Sequence, residues 1–359
     1  MKMTWRWYGV GNDEITLGHI KQIPGVEGVV WSLHDMAAGA EWPLDRIEEV
    51  KAQADEYGFN IDVVESVNVH EDIKLGLPSR EEYIDNYIKT MEKLATVGVK
   101  CICYNFMPVF DWTRTDLYKE TEDGSNALFF ESSKIGEINP VDLIKNITDN
   151  VDVTMPGWEP ERLAKIEESL EAYKSVDHEK LWANLKYFLE RIIPVAERLD
   201  IKMAIHMDDP AFDIFGLPRL MTCRDNIERF LKLVDNKYNG LTLCTGSLGS
   251  MPTNDIPGIV KEFADRIHFA HVRNVKVFDN GDFIETSHRA CDGSVDIVEV
   301  IRAYHEAGFT GYIRPDHGRH LWGEESSCRP GYGLYDRAMG VMYMMGVWDL
   351  LEKQKNEAK

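Results

Sequence analysis

The sequence feature that most constrains the fold is an alternation of eight short apolar segments with longer amphipathic ones. Apolar runs bounded by Gly, Pro or charged residues are typical of strands buried on both faces of a parallel sheet. The predicted strands are 3–8, 28–33, 61–66, 99–105, 202–206, 241–245, 267–272 and 312–315. Predicted helices such as 44–57 and 81–97 lie between them and end at a Gly. Eight such units predict an α/β protein, a closed (β/α)8 TIM barrel.

One long stretch interrupts this alternation. Residues 106–156 have no clean period and are rich in Asp, Asn, Thr and aromatic residues. Because ordinary connections are far shorter, we predict an insertion after the fourth strand that is either an active-site lid or an oligomer contact. The segment 273–293 after the seventh strand is predicted to be a second long loop. Residues 1–359 are predicted to form a single barrel domain that contains this insertion.

The charge balance restricts the partners of the chain. Forty Lys and Arg against 61 Asp and Glu give a net charge of −21, which repels phosphate backbones and anionic lipid. We therefore expect no nucleic-acid partner and no membrane partner. The six cysteines form no C-x-x-C pair and the first residues contain no apolar signal segment, so reduced thiols and a cytoplasmic location are predicted. No G-x-G-x-x-G or phosphate-loop motif is found, which argues against dinucleotide chemistry.

Good metal ligands lie at the ends of four consecutive predicted strands. Strands five to eight end at His206, Cys244, His271 and Asp316. In such barrels the chemistry lies at the C-terminal strand ends, and neighbouring strands are about 4.8 Å apart. Two imidazoles, a thiolate and a carboxylate suit a borderline divalent metal. Each residue alone would more often be a packed or hydrogen-bonded side chain, but their joint placement predicts one metal site.

Stretches along the whole chain resemble the mannonate dehydratase (UxuA) family. They are 3–9, 31–34, 105–115, 204–210, 243–247, 268–274, 292–296, 314–318 and 331–337. The most specific are Asp-Trp-Thr-Arg-Thr at 111–115 and Arg-Pro-Asp-His-Gly at 314–318. The resemblance implies a xylose-isomerase-like barrel that dehydrates D-mannonate to 2-keto-3-deoxy-D-gluconate in hexuronate (glucuronate) catabolism, with Mn2+ or Fe2+ as cofactor.

The resemblance also implies roles for individual residues. It makes the four strand-end residues the metal ligands, and it makes His317 and Tyr332 the acid and base without fixing which is which. Without the resemblance, Tyr332 could equally be a surface aromatic residue. The reaction needs both groups, because a weakly acidic C2 proton must be removed and a poorly leaving C3 hydroxyl expelled.

Several side chains near predicted strand ends are candidates for binding a small-molecule sugar acid. They are Arg273, Arg314, Trp5, Arg6, Tyr8 and Asn274. A guanidinium suits carboxylate and hydroxyl groups, and aromatic rings can form a wall against a sugar. Arg273 and Arg314 could instead neutralise an acid-rich rim. The aromatic residues of the insertion lead us to expect a homodimer.

Three other functions are compatible with a barrel and a metal site. An aldose–ketose isomerase would share metal and sugar, but a cysteine ligand and a single cluster fit it less well than a carboxylate-rich pair of metals. A metal-dependent endonuclease is disfavoured by the charge of −21 and the lack of a basic stripe. A metal-stabilised binding module would have no acid and base beside the ion, whereas His317 and Tyr332 supply both.

Overall fold

The computed structural model describes residues 1–137 and 166–358, and the rest of the chain, including most of the second half of the predicted insertion, lies outside it. In chain order the strands are β1 (Lys2–Arg6), β2 (Gly28–Trp31), β3 (Asn60–Glu65), β4 (Cys101–Tyr104), β5 (Asp116–Glu120), β6 (Asn126–Phe130), β7 (Lys202–His206), β8 (Asn239–Cys244), β9 (Ile267–Val272), β10 (Asn274–Val277), β11 (Phe283–Thr286) and β12 (Tyr312–Pro315). Eight of them form a closed parallel barrel in the order β1-β12-β9-β8-β7-β4-β3-β2. The predicted (β/α)8 barrel is therefore confirmed, and its treatment as a single domain stays a prediction.

Helices cover the outside of the barrel. Those of the described residues are α1 (Leu17–Lys21), α2 (Leu44–Glu56), α3 (Glu71–Leu75), α4 (Arg80–Thr96), α5 (Ser132–Glu137), α6 (Ile166–Tyr173), α7 (His178–Leu199), α8 (Arg224–Leu233), α9 (Thr245–Gly249), α10 (Ile256–Phe263), α11 (Ile297–Glu306) and α12 (Tyr335–Glu357), with short 3-10 turns at Ala264–Arg266 and Glu324–Ser326. Helix α7 contains Pro194 and continues through it. None of these helices is long and apolar enough to cross a membrane.

Short polar side chains fix where several of these helices begin. Asp177, Asp255 and Asp296 each accept a hydrogen bond from the backbone N–H three residues later, at the starts of α7, α10 and α11. Such caps satisfy amide groups that have no partner inside the helix. At the other end, Gly58 and Gly98 follow α2 and α4 with positive φ, a conformation that glycine adopts without a Cβ clash.

A second sheet lies outside the barrel and was not predicted. Strands β10, β11, β6 and β5 form an antiparallel sheet in that order. Phe283 pairs with Phe130, and their stacked rings lie 4.9 Å apart. The predicted loop 273–293 and the described part of the insertion are thus joined into one structure. The apolar periodicity did not predict this sheet because its two short hairpins are far apart in the chain.

The barrel interior is filled, so the site must lie at one end of it. A small cluster of buried side chains occupies the interior: Val30, Val63, Cys101, Cys103, Ala204 and Phe269. A much larger apolar cluster lies between the strands and the covering helices. This is the arrangement expected of a packed barrel, in which the polar residues of the site collect at the C-terminal ends of the strands.

Candidate active site

The four predicted metal ligands meet at the C-terminal end of the barrel. His206 and Cys244 end β7 and β8, His271 lies in β9, and Asp316 follows β12. One ligand atom from each residue lies within 4.8 Å of the others. His206 Nε2 is 3.1 Å from His271 Nδ1, and Cys244 Sγ is 3.3 Å from Asp316 Oδ2. Donors this close can surround one divalent ion after small side-chain shifts.

The charges around Cys244 favour the form that binds metal. Burial on its own raises the pKa of the Cys244 thiol, but the charge of Arg273 and hydrogen bonds with His206 and His271 bring it to about 5. The thiolate is the form that ligates metals. For His206 the effects are reversed: burial lowers its pKa, whereas Cys244 and Asp316 raise it to about 9. Metal binding would displace that proton, as ligation generally does.

Both ligand imidazoles are oriented by a partner on their far side. His206 Nδ1 lies 2.6 Å from the carbonyl oxygen of Met207, so its Nε2 faces the cluster. His271 Nε2 lies 3.1 Å from Arg314 Nε and 3.4 Å from Glu65 Oε2, so its Nδ1 faces the cluster. Glu65 also accepts hydrogen bonds of 3.1 and 2.9 Å from Arg314. Outer partners of this kind orient the ligands of known metal sites, so the donor set fits a divalent metal.

The two predicted acid–base residues lie in contact beside this cluster. His317 Nε2 is 3.1 Å from the Tyr332 hydroxyl and 4.0 Å from Asp316 Oδ1. Burial raises the pKa of Tyr332 well above 10, so its hydroxyl stays protonated at neutral pH. Arg337 fixes the tyrosine loop by donating a 2.7 Å hydrogen bond to the carbonyl oxygen of Tyr332. The Tyr8 ring meets the Tyr332 ring edge to face at 5.1 Å.

A cleft opens over these groups. Its lining residues are Arg6, Glu65, Ser66, Cys103, Tyr104, Asn105, Met107, Asp111, Trp112, His206, Asp209, Asp316, His317 and Tyr332. Arg6 is 2% exposed, and no carboxylate of the described residues lies within ion-pair distance of it. Its guanidinium lies 4.8 Å from the Tyr8 ring and 3.4 Å from the carbonyl oxygen of Val30. A buried guanidinium that forms no ion pair with the described carboxylates, and only a longer-range interaction with Glu65, suits an anionic group entering the cleft.

The other candidate arginines lie behind the cleft lining. Arg314 pairs with Glu65 and, at 2.9 Å, with Asp316. Arg273 Nε lies 2.8 Å from Asp316 Oδ2. Both guanidinium groups therefore hold carboxylates of the site in place. A direct contact of either one with a substrate stays a prediction.

Two further substrate-binding candidates are also enclosed by protein. Trp5 is fully buried beneath the guanidinium of Arg337, at 4.2 Å. The Asn274 amide donates to the carbonyl oxygen of Arg289 at 2.9 Å and accepts from the N–H of Val295 at 3.0 Å. In these positions both residues support the surroundings of the site, and neither lines the cleft.

A buried network of charges extends from the cleft lining at Asp209 into the protein and was predicted only in part. Arg114 contacts Asp209 at 2.8 Å and Glu285 at 2.8 Å, and Arg273 pairs with the same two carboxylates. Asp209 follows the end of β7 and Glu65 ends β3, so the strand-end rule that found the ligands could have found both. Glu285 lies in β11, inside a predicted loop, and no sequence pattern singled it out.

Comparison with known proteins identifies the family of the chain. The D-mannonate dehydratase (UxuA) family model matches residues 1–358. Mannonate dehydratase 1 of Halalkalibacterium halodurans is 63% identical over 352 residues, which are 98% of this chain and 97% of that protein. The crystal structure of mannonate dehydratase from Streptococcus suis serotype 2 is 41% identical, has a TM-score of 0.89 and is matched over 99% of this chain and 96% of that one.

A more distant likeness concerns the fold alone. A xylose isomerase domain protein from Planctomyces limnophilus has a TM-score of 0.53 at 11% identity, over 96% of each chain. The prediction of a xylose-isomerase-like barrel is therefore confirmed. Because the family match spans the chain and the curated relative is similar over almost its whole length, the protein belongs to the D-mannonate dehydratase (UxuA) family.

Proposed function

We propose that the chain is a metal-dependent hydro-lyase that converts D-mannonate to 2-keto-3-deoxy-D-gluconate and water in hexuronate (glucuronate) catabolism. The observation that carries the proposal is the contact of His317 with Tyr332, 3.1 Å long, directly beside the four-ligand cluster. Family membership supports the choice of D-mannonate as substrate. A cytoplasmic location is part of the same proposal.

The cluster His206, Cys244, His271 and Asp316 would hold the ion, and we propose Mn2+ or Fe2+. The mixture of nitrogen, sulfur and oxygen donors suits a first-row divalent metal. When bound, such an ion supplies a Lewis acid that polarises substrate oxygens and makes the neighbouring C–H bond more acidic.

The environments of the two acid–base residues support different roles. Tyr332 is protonated, so its hydroxyl is able to donate to His317 Nε2 across the 3.1 Å contact. In that arrangement Nε2 of His317 carries the lone pair that a base needs. We assign His317 as the base for the C2 proton and Tyr332 as the acid for the C3 hydroxyl.

This assignment balances the protons of the reaction. His317 Nε2 takes the proton from C2 while Tyr332 gives its proton to the C3 hydroxyl, which leaves as water. The remaining enol becomes the 2-keto acid by shifting a proton from oxygen to C3. Afterwards His317 returns its proton to the Tyr332 oxygen through their direct contact. Both residues regain their starting state without an outside acid or base.

Metal dependence is the first expectation. Metal-free protein incubated with D-mannonate should form a 2-keto-3-deoxy acid only after Mn2+ or Fe2+ is added. Cys244→Ser should lower both bound metal, measured by elemental analysis, and keto-acid formation, because a thiolate donor is lost. Conversion of an aldose to a ketose, with no keto acid from D-mannonate, would favour the isomerase alternative.

Removal of the acid should act on turnover. We expect Tyr332→Phe to lower kcat about 10²- to 10⁴-fold with little change in KM, because the lost hydroxyl acts in the chemical step. Tyr335→Phe is a matched control, since that side chain is exposed on α12 and 43% accessible. Steady-state kinetics with D-mannonate measure both variants. An unchanged kcat in Tyr332→Phe would remove the acid role.

Arg6 is proposed to bind the substrate carboxylate. Arg6→Met should raise KM for D-mannonate about 10- to 100-fold, the worth of one charge-assisted hydrogen bond. Inhibition by D-mannitol, which lacks the carboxylate, should be unaffected by the substitution. Equal weakening of both ligands would instead indicate that Arg6 shapes the cleft without recognising the acid.

We also propose a homodimer, for a different reason from that given by the sequence. The aromatic rings in the described part of the insertion are mostly buried, but Trp322 is 79% exposed and contacts Tyr335. Met339 and Met342 extend this apolar surface along α12. Such surfaces often mark interfaces. Light scattering should give a dimer that Trp322→Glu converts to a monomer, and a monomeric parent protein would contradict the proposal.

A further inference from the structure

We infer that Glu285 is a positioning residue that fixes which ring nitrogen of His317 carries the proton, so that the basic nitrogen faces the substrate. The inference deepens the proposed dehydration and rests on it. Glu285 belongs to the second sheet, in β11, and not to the barrel. His317 follows the barrel strand β12, so the proposed base would be oriented by a side chain of the second sheet.

One carboxylate oxygen of Glu285 contacts His317 and two arginines. Its side chain is buried, and its Oε1 lies 2.9 Å from His317 Nδ1. The same oxygen accepts hydrogen bonds from Arg114 at 2.8 Å and from Arg273 at 2.5 Å. Two guanidinium groups therefore hold the carboxylate against one nitrogen of the imidazole.

The charge of Glu285 determines the direction of its hydrogen bond to His317. Burial raises the pKa of Glu285, but the two guanidinium groups that contact its Oε1, those of Arg273 and Arg114, lower it and keep the carboxylate ionised. An ionised carboxylate can only accept, so His317 Nδ1 is the donor. Neutral imidazole has a single N–H, which leaves the lone pair on Nε2, the nitrogen that meets Tyr332.

The orientation of the ring depends on the same contact. The Trp112 ring meets the His317 ring edge to face at 5.6 Å, which limits its tilt but does not distinguish its two nitrogens. Only hydrogen bonds can make that distinction. A carboxylate behind a histidine base is a known solution, and its loss leaves part of the population with the proton on the wrong nitrogen.

A structural role for Glu285 predicts something different. Glu285 could serve merely to neutralise Arg114 and Arg273. Asp209 separates the two possibilities because it pairs with both arginines yet makes no hydrogen bond to His317 in the described part of the chain. A change at Asp209 removes a comparable charge from the network and leaves the acceptor of His317 in place.

The test reads the position of the proton directly. We would label the histidine rings with 15N, load the protein with diamagnetic Zn2+, and assign the His317 signals by their loss in His317→Asn. The parent protein should have a protonated Nδ1 and an unprotonated Nε2. Glu285→Gln, whose amide can accept or donate, and Glu285→Asp, whose shorter side chain withdraws from the ring, should both give mixed forms. Asp209→Asn should keep the parent pattern.

Kinetics provide the second readout. Glu285→Gln should lower kcat about 10- to 100-fold with KM changed by less than about threefold, as expected for loss of an orienting partner. An unchanged proton position in both Glu285 variants, or the same mixing in Asp209→Asn, would overturn the inference. If the parent protein fails to act on D-mannonate, the proposed function fails while the NMR pattern still decides the role of Glu285. Glu285→Asp keeps the test decisive if Glu285→Gln does not fold.

Discussion

The buried guanidinium group of Arg273 forms ion pairs with carboxylates from three parts of the site. Arg273 pairs with Asp316 next to the metal cluster, with Asp209 after β7 and with Glu285 in the second sheet. Buried carboxylates are costly unless they are paired and hydrogen-bonded. Three elements distant in sequence are therefore held around one cation. Arg114, which lies in the insertion, pairs with two of the same carboxylates, Asp209 and Glu285. The two arginines therefore share these carboxylates.

This network gives neighbouring groups different protonation states. The thiol of Cys244 is shifted towards thiolate by Arg273, whereas the phenol of Tyr332 is kept protonated by burial. A thiolate is required for ligation and a protonated phenol for donation, so each residue is held in the form that its proposed role needs. The difference follows from which effect dominates: burial outweighs the charge of Arg314 at Tyr332, whereas at Cys244 the charge of Arg273 and the two imidazoles outweigh burial. Tyr332 contacts His317 and Tyr8, and its pKa is dominated by burial.

The barrel and the convergence of the four candidate ligands were predictable because both follow from a simple period. Apolar runs identify buried strands, and the residue at each strand end is placed by the fold. The same rule placed Arg273 and Arg314 on the side of their neighbouring ligands, but it did not reveal that buried carboxylates would occupy them. Arg6 differs because no described carboxylate pairs with it. The spacing of residues along a strand predicts which way a side chain points. Its ion-pair partner, however, depends on residues far away in the sequence.

The second sheet explains why the fold alone does not define the chemistry. Its strands β6 and β11 come from two separate insertions, and their pairing leaves no periodic signal in either. Proteins with the same barrel and low identity share the strands but need not share such a sheet. In this chain the barrel strand ends supply the four candidate ligands, and the sheet supplies Glu285 behind His317. The strand ends of the barrel could thus hold an ion, but orienting the proposed base His317 requires Glu285 of the second sheet.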